Sequence, residues 1–244
     1  MSLWRVYMKY EDLLELAKNR RSIRRFKPDP IPNEYIDKII EVAHWAPSGF
    51  NQQPWEFVVI KKPELKKQIS DYCKEQLLLG HKMNAAIDPT LKVPDSIHAM
   101  ETEGGNFSVA PVFILLLGDH RSIQLMPSSH QYGTEYLNNT FNAGLTCSFL
   151  YMQLAATTLG LASQWLSAVQ APYVSFMVKE LLGIPKYLNI YDMMALGFPA
   201  AQPKPRTIRN VDKMLHHDFC GPGAFRSDAD VLEYIQQTRG VVEP

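Results

Sequence analysis

Apolar residues recur at helical spacing between Tyr10 and Lys18, where Leu13, Leu14, Leu16 and Ala17 predict a helix ending at a run of cations. Pro28, Pro30 and Pro32 then predict an extended connection. Asn33 is a candidate N-cap for a second helix, which turns Ile36, Ile39, Ile40 and Ala43 inward and stops before Pro47. Glu56 to Ile60 predicts a short buried strand, and Pro63 opens a helix running to about Leu79. From Gly80 to Phe107 the periodicity fails, and Pro89, Pro94 and Gly104-Gly105 interrupt a polar segment. Such a stretch reads either as a lid over a binding site, with Met83, Met100 and Phe107 as apolar walls, or as a surface insertion.

Val112 to Leu117 is a continuous apolar run between Pro111 and Gly118, as expected of a central strand. Gln131 to Thr158 is the longest helical pattern. Its second half is apolar nearly all round, which implies burial on several faces, inside the domain or against a second subunit. Gly160 closes it, Ala162 to Val169 predicts another strand, and Pro172 to Leu182 a helix stopped by Gly183. Tyr191 to Leu196 predicts a strand, and Asp228 to Gln237 a late helix capped by Ser227. Strand spacings unsuited to hairpins, mixed with long helices, predict an α+β layer around a small sheet. No linker composition divides the chain, so one domain over 1–244 is expected, with the lid at 80–107 and a tail at 212–244.

Composition narrows the chemistry. Balanced charges, 25 Lys+Arg against 25 Asp+Glu, argue against a nucleic-acid partner, which calls for a broad basic face. The longest apolar stretch, Ala110 to Leu117, is too short to span a bilayer, and Met1 to Tyr10 lacks the apolar region of a cleavable leader. Cys73, Cys147 and Cys220 lie far apart, which excludes a CxxC motif and fits a reducing cytoplasm. The 7 histidines show no zinc spacing, and GxSxG is absent, so neither zinc chemistry nor a serine nucleophile is expected.

Against that neutral background, residues 18–27 carry six cations and no acid: Lys18, Arg20, Arg21, Arg24, Arg25 and Lys27. The run reads either as a solvated helix end or as a site for one compact anion, with the Ser22 hydroxyl among its donors. It belongs to a set of four segments: Arg-Arg-Ser-Ile-Arg (20–24), Ala-Pro-Ser-Gly-Phe-Asn-Gln-Gln-Pro-Trp (46–55), Leu-Gly-Leu-Ala-Ser-Gln-Trp-Leu-Ser (159–167) and Leu-Gly-Phe-Pro-Ala-Ala-Gln-Pro-Lys-Pro-Arg (196–206). In this order and at these separations they resemble the nitroreductase family, whose members bind FMN.

The resemblance implies an α+β fold with a central mixed, mostly antiparallel sheet flanked by helices. It also implies a homodimer with FMN in clefts built from both subunits. Arg20, Arg21 and Ser22 would hold the phosphate together with Lys204 and Arg206, and Arg209 is a further candidate. Arg24 would stand near N1 and O2 of the flavin ring, where a fixed cation favours the reduced, negatively charged form. Pro47, Ser48, Gly49 and Asn51 would face the ring and ribityl chain. Gln53 is either a further contact or a turn-stabilising amide, and Trp55 reads as core. Ser167 is the choice for the contact beside N5 and O4; Trp165 and Leu166 read as core. The implied activity is NAD(P)H-dependent reduction of nitroaromatics or quinones by ping-pong hydride transfer, with no side chain as nucleophile. Reductive dehalogenation, oxygen-dependent flavin fragmentation, or flavin binding without turnover are the alternatives.

Overall fold

The computed structural model describes residues 8–88, 107–126, 133–203, 206–221 and 223–239. Four strands form one sheet in the order β1-β2-β4-β3: β1 (Trp55–Ile60), β2 (Val112–Asp119), β3 (Ala162–Leu166) and β4 (Leu188–Gly197). All three pairings are antiparallel. A parallel bridge between Ser22 and Ser163 makes the arrangement mixed. An α+β class with a mostly antiparallel sheet is therefore observed, as expected.

β2 is central and buried on both faces, which explains its unbroken apolar run. Its side chains alternate between two cores. Val112, Ile114 and Leu116 meet α2 (Asn33–Ala43) and the long helix α5 (Thr134–Thr158); Phe113, Leu115 and Leu117 meet α3 (Pro63–Ile87) and α6 (Pro172–Leu182). Helix α1 (Tyr10–Asn19) precedes the basic run, and the short α4 (Arg121–Gln124) follows β2. By its internal contacts the chain divides into two units, Met1–Pro203 and Lys204–Pro244. The first holds the sheet; the described residues of the second include a 3-10 turn, Val211–Lys213, and α7 (Asp228–Arg239).

Several boundaries differ from those expected, each for a local reason. Asn33 is the first helical residue and not its cap, because its Oδ1 accepts from the Lys61 ammonium. Helix α3 continues through Gly80 to Ile87: a Cβ at Gly80 would meet nothing within 4 Å, and the polar residues that mimic a loop face solvent. Phe107, expected as a lid wall, is a core residue packed against Phe113. Met100 and the rest of 89–106 lie outside the described residues, as does Gln131. β3 stops at Leu166, and Ser167–Gln170 turn into a 3-10 helix. β4 begins early, at Leu188: Leu116 faces Asp192 and Leu117 faces Ile190, so a bulge at Tyr191 lets the pairing run on.

The closing helices match their sequence signals. Gly183 ends α6 in the left-handed region at φ 65°. Ser227 caps α7, with its Oγ accepting from Asp230 N while Asp230 accepts from Ser227 N in return.

Candidate functional site

The basic run is held by its backbone. After α1 the chain runs extended beside β3, the open edge of the sheet: Ile23 N donates to Ser163 O at 3.0 Å. It then crosses the end of β4, where Lys27 N donates to Phe198 O at 2.8 Å and Ala200 N to Arg25 O at 3.0 Å. Phe26 is buried against Gly197, where an added Cβ would come within 3.0 Å of the Phe26 ring. Two apolar anchors, Ile23 and Phe26, thus leave Ser22, Arg24 and Arg25 exposed and Arg20 and Arg21 half-buried. Among the described residues no carboxylate forms an ion pair with Arg24 or Arg25. A hollow of about 330 Å³ opens here, lined by Lys18, Asn19 and Arg21, by Thr157 at the end of α5, and by Gln202 and Pro203.

The turn at 46–53 is strained and tightly seated. Phe50, Asn51 and Gln53 all have positive φ, at 56°, 53° and 47°. For non-glycine residues this stored strain clusters at ligand-binding sites. The Ser48 hydroxyl accepts from Gln53 N at 2.9 Å, and Gln53 Nε2 donates to Asn51 Oδ1 at 3.2 Å, so the Gln53 amide does brace the turn. Two glycines seat it on α5: a Cβ on Gly144 would lie 3.0 Å from Ser48 Cβ, and one on Gly49 only 1.9 Å from Thr140 Cγ2. Trp55 is buried in the core beyond the turn.

Ser167 is exposed and sits just past the end of β3. Beneath it lies Asp192 of β4, 2% exposed. Asp192 Oδ2 accepts from Trp165 Nε1 at 2.6 Å and Oδ1 accepts from Gln170 Nε2 at 2.9 Å. Burial pushes its carboxyl above the ordinary carboxylate range, against the pull of those donors. Trp165 is indeed a packing residue, stacked on Phe149 at 4.1 Å between ring centres. Sequence reasoning missed Asp192. The available signal was a lone acid inside the apolar strand Tyr-Asp-Met-Met-Ala-Leu.

The structure brings some of the expected site residues together and separates others. Arg20, Arg21 and Ser22 adjoin the start of β3 and Ser167 its end; four residues of strand, Ser163 to Ser167, span about 13 Å. The 47–51 turn sits on α5 at Gly144, whereas Thr157 beside Arg21 is thirteen residues further along that helix, about 20 Å away. One copy of the chain therefore holds the two groups apart. Arg206 and Arg209 belong to the second unit, where Arg206 is exposed and Arg209 Nη2 donates to Lys213 O at 3.4 Å. Lys204 lies outside the described residues. Among the described residues no cluster of His, Cys, Asp or Glu could hold a metal ion. Among them, too, no helix is long and apolar enough to cross a membrane.

A profile of the nitroreductase family matches residues 17–198. The chain belongs to the nitroreductase family. Among its relatives is an NADH dehydrogenase of Thermus thermophilus, 26% identical over 202 residues, covering 80% of this chain and 90% of that one. An iodotyrosine deiodinase of Danio rerio is 26% identical over 204 residues, covering 83% of this chain and 65% of the deiodinase. The fold is also that of a Bacteroides fragilis nitroreductase solved with bound FMN, at TM-score 0.58 and 22% identity, covering 81% of this chain and 95% of that one.

Proposed function

We propose that this nitroreductase-family protein is an FMN-dependent oxidoreductase that takes electrons from NAD(P)H and passes them to electron-poor acceptors such as nitroaromatics or quinones, in a ping-pong cycle. The observation that carries the reading is the anchoring of Arg-Arg-Ser at one end of β3 with Ser167 at the other. That spacing suits a ligand with a phosphate at one end and a ring at the other. The donor set fits as well: guanidinium forks match phosphate oxygens bidentately, and the hydroxyl of Ser22 adds a neutral donor. On β3 itself, Gln164 Oε1 is buried without a hydrogen-bond partner.

Bound FMN would supply a ring that accepts a hydride from the nicotinamide and gives up reducing equivalents to the acceptor. The chain's own residues grip, tune and shape. Arg20, Arg21 and Ser22 hold the phosphate; Lys204 and Arg206 carry the same assignment from their motif alone, and Arg209 is a further candidate. Arg24 places a fixed cation toward the edge of the ring that gains negative charge. Pro47, Ser48, Gly49 and Asn51 line the ring and ribityl chain from a second copy. The separation of that turn from Arg20–Ser22 along α5 supports a homodimer, as do the exposed Trp45 and Phe50, 75% and 50% exposed. Three free cysteines, one of them buried, fit a reducing, cytoplasmic setting.

The reading is tested by purifying the protein and recording its absorbance, then reducing it anaerobically with NADH or NADPH and mixing it with nitrofurazone, iodotyrosine or oxygen. Rapid reoxidation by nitrofurazone supports it. A colourless protein that takes up no FMN overturns it, and a yellow one reduced by neither nicotinamide is a flavin carrier. The hydroxyl of Ser167 and the deiodinase relatives favour a second reading, reductive dehalogenation, which predicts reoxidation by iodotyrosine instead. Reoxidation by oxygen with loss of the flavin would indicate flavin fragmentation.

A further inference from the structure

Phe50 occupies the left-handed region, at φ 56° and ψ 19°, where a bulky side chain is a genuine outlier. The glycine beside it would take that conformation without strain, yet Gly49 keeps out of the region, and its bare Cα serves the close approach to Thr140 instead. The neighbours fix the shape of the turn. Asn51 N donates to Ser48 O at 3.0 Å, Gln52 N to Gly49 O at 3.2 Å and Gln53 N to Ser48 Oγ at 2.9 Å. None of these bonds uses a group of Phe50, so the turn itself does not call for an aromatic there. Core burial does not call for one either, since Phe50 is half exposed. Backbone strain of this kind persists where function uses it.

Resting on the reading that the 47–51 turn faces the flavin of a second copy, we propose that Phe50 sets the acceptor specificity of that site by laying its ring against a planar, electron-poor aromatic acceptor. Gly49 and Asn51, on either side of it, carry the contacts to the flavin ring and ribityl chain in that reading, which brings Phe50 to the same cleft. The face of a phenyl ring is the negative side of its quadrupole and packs offset on a ring depleted of electrons. It has no hydrogen-bonding group, so it selects for planarity and not for the acceptor's polar substituents. The rigid turn fixes the ring before the acceptor arrives, which spares the ordering cost of a mobile side chain. An acceptor without a ring gains nothing from it.

The test is the saturable reoxidation of the FMN-loaded protein, reduced anaerobically with stoichiometric dithionite so that no nicotinamide is needed. The acceptors are nitrofurazone and ferricyanide, the second an inorganic oxidant with no ring to stack. Phe50→Asn keeps the backbone conformation, which asparagine tolerates, and removes the ring. Its apparent dissociation constant for nitrofurazone rises about two- to tenfold, the range for loss of an aromatic pair, while FMN affinity and the ferricyanide rate stay at the parent values. Phe50→Tyr, with the same ring face, stays near the parent for both acceptors, and Phe50→Leu, which keeps apolar bulk without the ring, behaves as Phe50→Asn. A nitrofurazone constant unchanged in Phe50→Asn overturns the proposal and leaves the flavin reading intact. So does a loss of FMN affinity in step with it, which would make Phe50 a cofactor or interface contact. Should Phe50→Asn fail to fold, a parent-like constant in Phe50→Leu overturns the proposal equally. A parent protein that takes up no FMN overturns the flavin reading and this proposal together.

Discussion

Gly49→Ala probes how tightly the 46–53 turn is locked to α5. An added methyl would sit 1.9 Å from Thr140 Cγ2 but 3.5 Å from Thr140 Cβ, so one methyl group accounts for the whole clash. Relief requires moving the turn or driving Thr140 off its rotamer. Overpacking of this kind costs about 1–3 kcal/mol, of which an off-rotamer side chain accounts for about 0.5–1.5. Thr140→Ser removes the offending methyl and on its own costs at most about 0.8 kcal/mol of lost burial. The double variant should accept the new Cβ at ordinary contact distance, giving a coupling of about 1–3 kcal/mol that restores stability. Urea unfolding of the four proteins measures that coupling. FMN titration of the same four should follow it, with affinity falling in Gly49→Ala and returning in the double variant. Additive stabilities would refute the seating of the turn on α5. Coupled stabilities with unchanged affinity would refute its role in holding the cofactor.

Three further outcomes follow from the same geometry. Arg20→Ala should weaken FMN retention by about 1.5–3 kcal/mol, the range for a charged hydrogen bond, whereas the exposed Arg25→Ala should change it little; equal losses would indicate a diffuse field in place of a pocket. Arg24→Ala should lower the midpoint potential of the bound flavin more than it lowers affinity, as spectroelectrochemical titration would record. Asp192, whose folded pKa lies above its unfolded value near 4, contributes stability that is complete below that value and is lost as pH rises through the folded pKa. Thermal melts should therefore show the parent losing ground to Asp192→Asn as pH rises above the unfolded value, and parallel curves would contradict this assignment.

How much of this was legible depended on whether local and tertiary demands agreed. β2 announced itself because burial on both faces requires an unbroken apolar run, and α6 because Pro172 and Gly183 bracket it. Helix α3 beyond Leu79 was not legible, since a solvent-facing last turn has the composition of a loop. The end of β3 was not legible either: Val169 is as buried as a strand residue while sitting in a 3-10 turn. At the candidate site the motif segments were legible from residue types alone. Their separation along α5 was not, because it arises from two glycines meeting Ser48 and Thr140 across the tertiary fold. Asp192 was hidden for a related reason, since only the packed structure brings Trp165 and Gln170 to one carboxylate.

The central claim is that an FMN site forms from the Arg20–Ser22 strand edge of one copy and the 47–51 turn of another, and complementation tests it most directly. Arg20→Ala/Arg21→Ala and Asn51→Ala variants would be co-expressed with different tags and the mixed dimers purified through both, then titrated at an FMN concentration that leaves either variant alone largely empty. Each mixed dimer should regain one intact site and bind about half a molecule of FMN per chain, because one interface combines the two unaltered halves. Mixed dimers as empty as the parent variants would contradict the account.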